Sequence, residues 1–161
     1  MKTDKLKKVL IALDYNTTAQ KVAEEGYTLA KAMGAEVILL HVMSEPVYYS
    51  SLEYSPIMGF TDYMGVTPLQ FDSFEGLNNA AQHFLDKTMK HLGDENIITL
   101  IKEGDFDEAI IKAAKEVHAN VIVMGSHSRR WLEDILIGSV TEKVLNKTTI
   151  PLFIIPTKKH N

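Results

Sequence analysis

The chain contains no cysteine, which excludes thiol nucleophiles, disulfides and thiolate metal sites and suits a reducing compartment. Long apolar runs are missing too. Nothing approaches the roughly 20 apolar residues that cross a bilayer. The first run, VLIAL from Val9 to Leu13, is closed by Asp14 and is too short for a signal-peptide core. Cytoplasmic residence without membrane association is therefore expected. Positive charge is not in excess: 17 Lys and Arg face 21 Asp and Glu, for a formal net charge of -4, and the lysines of Lys5 to Lys8 and Lys158 to Lys159 are short terminal clusters. A basic stripe able to engage a phosphate backbone is lacking, so no nucleic-acid partner is expected. Walker A, GxGxxG and GxSxG patterns are absent as well, which removes support from conventional ATPases, dehydrogenases and elbow-type serine hydrolases.

What is present fits one globular domain. A chain of 161 residues with 45% hydrophobic and 24% charged side chains has an ordinary folded composition. At that length it can bury roughly two-thirds of its unfolded surface without a staple. Short apolar runs rich in β-branched residues recur at Val9 to Leu13, Val37 to Val42, Ile97 to Ile101, Val121 to Met124 and Leu152 to Ile155. They lack strict alternation, as strands buried on both faces do.

Helical periodicity fills the gaps. Ala19, Val22, Ala23, Leu29, Ala30 and Met33 form one stripe, with Gly34 placed to stop the helix; Ala109, Ile110, Ala113, Ala114 and Val117 form another. Four pairs, Thr17 with Gln20, Asp72 with Glu75, Asp105 with Glu108 and Ser139 with Glu142, have the spacing of capping boxes. Strands and helices in alternation predict an α/β domain, a parallel sheet with helices on both faces. Ligands of such sheets bind beyond the carboxyl ends of the strands, where the strand order reverses. Asp14, Val42 with Met43, and the loop from Gly125 fall there. Residues 44–70, SEPVYYSSLEYSPIMGFTDYMGVTPLQ, break the regularity. So long a connection is read either as an insertion packed on the domain or a subunit, or as a lid over the site.

The stretch MGSHSRRWLEDILIGSV, from Met124, carries the best candidate chemistry. Met124, Gly125, Ser126, His127, Ser128 and Arg129 follow a buried strand, and Gly138, Ser139 and Val140 open the next helix. The N–H groups of a helix N-terminus suit a phosphate, and a glycine lets it approach the main chain. Ser139 offers a hydroxyl donor. The same residues also read as a plain capping box behind a turn glycine. Arg129 or Arg130 pairs with phosphate oxygens or with Glu133 or Asp134.

The spacing of Gly125, Ser128, Gly138 and Ser139 resembles the signature GxxGx9G[ST] of the universal stress protein family. KKVLIALDYN, AKAMGAEVILLHV and GSVTEKVLNKTTIPLFIIP are similar to that family too, so the likeness spans nearly the whole chain. It implies a single three-layer α/β/α domain over residues 1–161, with a five-stranded parallel sheet of order 3-2-1-4-5, the adenine nucleotide alpha hydrolase-like arrangement. It further implies ATP or AMP, with or without Mg, held between strands one and four. Asp14 would then lie beside the nucleoside, the Val42 backbone at the adenine edge, and Ala12 and Leu13 as apolar walls. Gly125 would lie near the ribose and phosphates, and Gly138, Ser139 and Val140 would receive the phosphates. A homodimer joined through Leu152 to Ile155 is implied as well, with Pro151 and Pro156 limiting the edge pairing. Ser128 replaces the second glycine of the signature. A left-handed backbone there costs serine about 1 to 2 kcal/mol, whereas an ordinary backbone leaves its hydroxyl free to donate.

Other sites fare worse. His83 and His91 would sit about 12 Å apart along a helix, too far to share a metal. His41 falls within a strand, His118 near a helix end and His160 at the tail. A receiver-type phospho-acceptor at Asp14 lacks its partners, because the third strand ends in Lys102, Glu103 and Gly104. With no evident general base beside the phosphates, at most slow ATP hydrolysis is expected. Two functions stand: a stress-response regulator that binds an adenine nucleotide, and a homodimeric interaction protein that does not.

Overall fold

The computed structural model describes residues 7–43, 74–126 and 138–157. The elements are β1 (Lys8–Ala12), α1 (Ala19–Met33), β2 (Glu36–Met43), α2 (Phe74–Leu92), β3 (Ile98–Glu103), α3 (Phe106–Glu116), β4 (Val121–Gly125), α4 (Ser139–Lys147) and β5 (Leu152–Ile155). The strands form one five-stranded sheet of order β3-β2-β1-β4-β5, as expected, and every pair is parallel. The long segment 44–70 lies outside the described residues, as does Asp72 of the proposed second capping pair.

Alternate side chains of each strand divide the core in two, because successive strand residues point to opposite faces. Val9, Ile11, Leu39 and Val123 pack with Ala19, Val22 and Ala23 of α1 and Leu77, Phe84 and Leu85 of α2. Leu10, Leu40, Val42, Ile122 and Met124 pack with Ile110, Ala113 and Ala114 of α3 and Val144 of α4. Helices on both faces explain the continuous apolar runs of the inner strands.

The apolar stripe of α1 is as expected at Ala19, Val22, Ala23 and Ala30, with Leu29 and Met33 at its rim, and Gly26 adds a feature the pattern did not signal. A Cβ on Gly26 would stand 2.8 Å from Ile11 Cδ1 and 3.1 Å from Val123 Cγ1, so the missing side chain lets α1 lie close on β1 and β4. Gly34 stops the helix at φ 64, a left-handed conformation that costs glycine nothing. At the end of α3 the same conformation falls to His118, φ 57. The His118 N–H donates to Lys115 O at 3.2 Å and the Ala119 N–H to Ala114 O at 2.9 Å, a Schellman turn.

The capping boxes are overturned where they can be seen. The cap of α1 is Thr18, not Thr17, and Gln20 turns its amide to Glu24 at 3.1 Å. Asp105 caps α3 by position but makes no side-chain cap bond. The cap of α4 is Gly138, which leaves Ser139 as its first helical residue. Glycine has no side chain to return, so the reciprocal bond of a capping box cannot form.

Candidate functional site

The strand order reverses between β1 and β4. From β1 the chain crosses through α1 to β2 on one side, while β4 and β5 extend the sheet on the other. Neighbouring crossovers lead away in opposite directions, so a crevice opens beyond the carboxyl ends of β1 and β4. A cleft of about 710 Å³, part of it open to solvent, occupies this place. Ala12, Leu13 and Asp14 line it from β1 and the turn that follows, Val42 from β2, Met124 and Gly125 from β4, and Ser139 and Val140 from α4. These are all residues singled out from the sequence.

Two others, Ser126 and Gly138, adjoin the lining residues Gly125 and Ser139 in the chain and are bonded to each other. Ser126 is buried: its N–H donates to Ile155 O at 2.9 Å, its hydroxyl accepts the Thr157 N–H at 3.0 Å, and its carbonyl accepts the Gly138 N–H at 2.9 Å. One serine thereby joins the end of β4, the end of β5 and the start of α4, and Gly138 is held in that joint. His127, Ser128 and Arg129 lie outside the described residues, as do Arg130, Glu133 and Asp134.

The wall also includes residues that the sequence did not single out: Ala19 and Val22 of α1, Leu40 of β2, Phe106 and Ile110 of α3, and Thr141 of α4. Two of these had a local signal. Leu40 shares a strand face with Val42 at a spacing of two, and Ile110 follows Phe106 by one helical turn. That α3 reaches the cleft at all depends on its packing over β2 and β3 and against α4.

The cleft has two chemical halves. Ala12, Leu40, Val42, Phe106, Ile110 and Met124 make an apolar wall, while Ser139, Val140 and Thr141 form the first turn of α4. Among the described residues no side chain caps that helix, so its leading N–H groups and the positive end of its dipole are available to an anion. Thr141 is buried and donates its hydroxyl to Gly125 O at 2.9 Å, which fixes the helix start against the strand end. Asp14 also lines the cleft and accepts the Asn16 N–H at 3.2 Å. Asp14 is the one ionisable side chain among the described lining residues. Among the described residues no group of three or more His, Asp or Glu side chains could hold a metal. No helix among them is long and apolar enough to cross a membrane.

Close by, burial pushes the His41 imidazole down to about 4, against the opposing pull of its bond to Leu13 O and of the Asp14 charge. It is neutral across the physiological range.

Comparison with known proteins agrees with this architecture. The universal stress protein MJ0577 of Methanocaldococcus jannaschii is 29% identical over 155 residues, covering 94% of this chain and 96% of its own. Its solved structure superposes with a TM-score of 0.67 over 96% of this chain and 98% of that one. The universal stress protein YxiE of Bacillus subtilis is 28% identical over 152 residues, 92% of this chain and 97% of its own. A universal stress protein crystallised in complex with cAMP shares the fold at 17% identity, with a TM-score of 0.61 over 95% of this chain and 98% of that one. The family pattern itself runs through residues 5–156, from before β1 to beyond β5, and on that match the chain belongs to the universal stress protein family.

Proposed function

We propose that the cleft binds an adenine nucleotide, ATP or AMP with or without Mg, and that the protein acts in the cytoplasm as a stress-response regulator rather than as an efficient enzyme. The observation that carries this reading is the joining of an apolar wall to a helix N-terminus, uncapped among the described residues, within one cleft at the switch point. A base would lie among Ala12, Val42, Phe106 and Met124, with the Val42 backbone at its edge. The ribose would meet Asp14 and Gly125, and phosphates would meet the first turn of α4. The cAMP held by a structural neighbour supports the ligand class, since it too combines adenine with a phosphate. His127, Ser128 and Arg129 would complete the phosphate contacts. Asp14 is on the nucleoside side of the cleft in this reading, so no base is aimed at a terminal phosphate and turnover is at most slow.

Acid extraction of the purified protein, chromatography of the extract, and calorimetry with Mg-ATP and with AMP test the reading directly. Co-purified adenine nucleotide, or saturable heat with either ligand, is the expected result; neither appearing would sink it. A second reading, a homodimer that works through protein contacts alone, draws on the exposed Phe153 of edge strand β5 and the exposed Leu145 of α4. Both readings allow a dimer through Leu152 to Ile155.

A further inference from the structure

On the α1 and α2 side of the sheet, next to the cleft, lies a buried aromatic cluster that the binding reading does not use. His41 of β2 is 2% exposed. Its Nδ1 stands 2.9 Å from the carbonyl oxygen of Leu13, and because a carbonyl only accepts, that nitrogen carries the proton. The imidazole stacks on Tyr15 with 4.2 Å between ring centroids and 26° between planes. Phe84 of α2 closes on both rings edge-first, at 5.8 Å from His41 and 5.3 Å from Tyr15.

Leu13 and Tyr15 are the two residues that flank Asp14. A single buried side chain therefore grips the main chain just before, and the side chain just after, the one carboxylate on the cleft wall. The strand-like alternation continues through this segment: Leu13 and Tyr15 belong to the core on the α1 and α2 side, and Asp14 between them lines the cleft. Local bonds shape the turn that follows. The Asn16 N–H donates to Asp14 Oδ1 at 3.2 Å, and the Thr18 N–H and hydroxyl donate to Asn16 Oδ1 at 2.9 and 2.8 Å. Such Asx-type bonds set the curl of a turn but not its tilt against the sheet. The tilt needs anchors from a distant part of the chain: the Leu13 N–H donates to Leu40 O of β2 at 2.8 Å, and the neighbouring His41, 28 positions away, adds the side-chain grip on Leu13 O and Tyr15.

We propose that His41 is a positioning residue for the binding site, clamping Leu13 and Tyr15 so that Asp14 is presented to the cleft. The proposal rests on the reading of the cleft as an adenine nucleotide site. The ring is suited to the role because it stays neutral and keeps its Nδ1 proton on Leu13. Its Nε2 is buried without a hydrogen-bond partner among the described residues. One donor and one flat face are what the arrangement uses.

Two substitutions separate the two grips. His41→Asn keeps a donor near the Nδ1 position and loses the stacking face; His41→Phe keeps the face and loses the donor. Amide hydrogen exchange of the ligand-free protein is read first, with Asn16 and Thr18 referred to Val9 through Ile11 in the same sample. Both variants are expected to raise the relative exchange at Asn16 and Thr18 by about tenfold. An unchanged ratio in both overturns the clamp. Calorimetry with Mg-ATP then runs His41→Phe and Asp14→Asn through a double-mutant cycle. His41→Phe should weaken binding about tenfold alone and less than about twofold when Asp14→Asn is already present, because both changes act through one carboxylate. Additive losses would mean that His41 acts by general packing, and the proposal fails. A wild-type protein that takes up no Mg-ATP removes the nucleotide reading instead, and the exchange ratio alone then decides for or against the clamp.

Discussion

Thr141 donates its hydroxyl to the carbonyl of Gly125 at 2.9 Å, a bond that ties the first turn of α4 to the end of β4 across the base of the cleft. Thr141→Val keeps the shape and removes the donor, which leaves a part-buried carbonyl without that partner. Stability should fall by about 1 to 2 kcal/mol, measured by urea unfolding. Mg-ATP affinity should fall as well, because the helix proposed to receive the phosphates loses its fixed distance from the strand. Unchanged affinity in a folded variant would separate α4 from the ligand.

Gly26 is the place where α1 comes nearest the sheet. Gly26→Ala gains about 1 kcal/mol of helix propensity but drives a methyl against Ile11 and Val123, both fully buried. Overpacking of this kind costs about 1 to 3 kcal/mol. A net loss of about 1 kcal/mol is expected, seen as a fall in Tm of about 2 to 4 °C. A higher Tm would show that the interface has room to give.

His118 occupies a left-handed position that every residue but glycine reaches at a cost. It is exposed and ends α3 by main-chain bonds that a substitution leaves in place. His118→Gly should therefore raise stability by about 1 kcal/mol. Thermal unfolding at neutral pH checks this, and a destabilised variant would contradict it.

Acid should weaken the fold through His41. Its pKa falls to about 4 in the folded chain from the ordinary 6.5, so between those values the unfolded chain binds the extra proton more readily. The stabilising difference is whole above pH 6.5 and is lost as the pH falls toward 4, amounting to about 3 kcal/mol in all. The charge of Asp14 opposes the shift. The carboxyls of Glu24, Asp94, Asp107 and Glu116 are lowered too, chiefly by hydrogen bonds accepted from His91, Asn96, Lys147 and Lys102, and their contributions are lost only as the pH falls below their ordinary values of 4.5 for Glu and 3.8 for Asp. Urea unfolding from pH 7 to 5 should slope in the wild type and flatten in His41→Phe. Parallel slopes would assign the effect elsewhere.

The proposed dimer predicts a response at the edge strand. Phe153 is 43% exposed on β5, and Phe153→Glu would place a charge in the seam. Light scattering should show a dimer for the wild type and a monomer for the variant. A wild-type monomer at micromolar concentration would refute the dimer.

Much of the fold was legible because periodicity is a local property. Five apolar runs and two clear helical stripes were enough for alternating β and α elements, and the observed strands lie within two residues of the expected ends. The strand order itself came from the family resemblance, since local patterns do not say which strand lies beside which. Caps were the weakest reading. The pattern of a capping box at Ser139 and Glu142 is real, but the main chain turns one residue earlier, at Gly138, and the hydroxyl is left at the cleft. Gly138 and Ser126, expected on the binding surface, are also bonded to each other, the Gly138 N–H donating to Ser126 O. A motif places residues near a ligand without telling which of them touch it.

The chain's composition and pattern by themselves determined the class of the domain, its runs of buried strand and its likeness to one family, since each follows from residues close in sequence. Tertiary structure alone decided that Phe106 and Ile110 from α3 share a wall with Ala12 and Leu40, and that Gly26 admits α1 to the sheet. It also brought His41 against both neighbours of Asp14. These contacts join segments far apart in the chain. Their distances depend on sheet register, helix approach and the alternation of faces, which only the packed structure brings together.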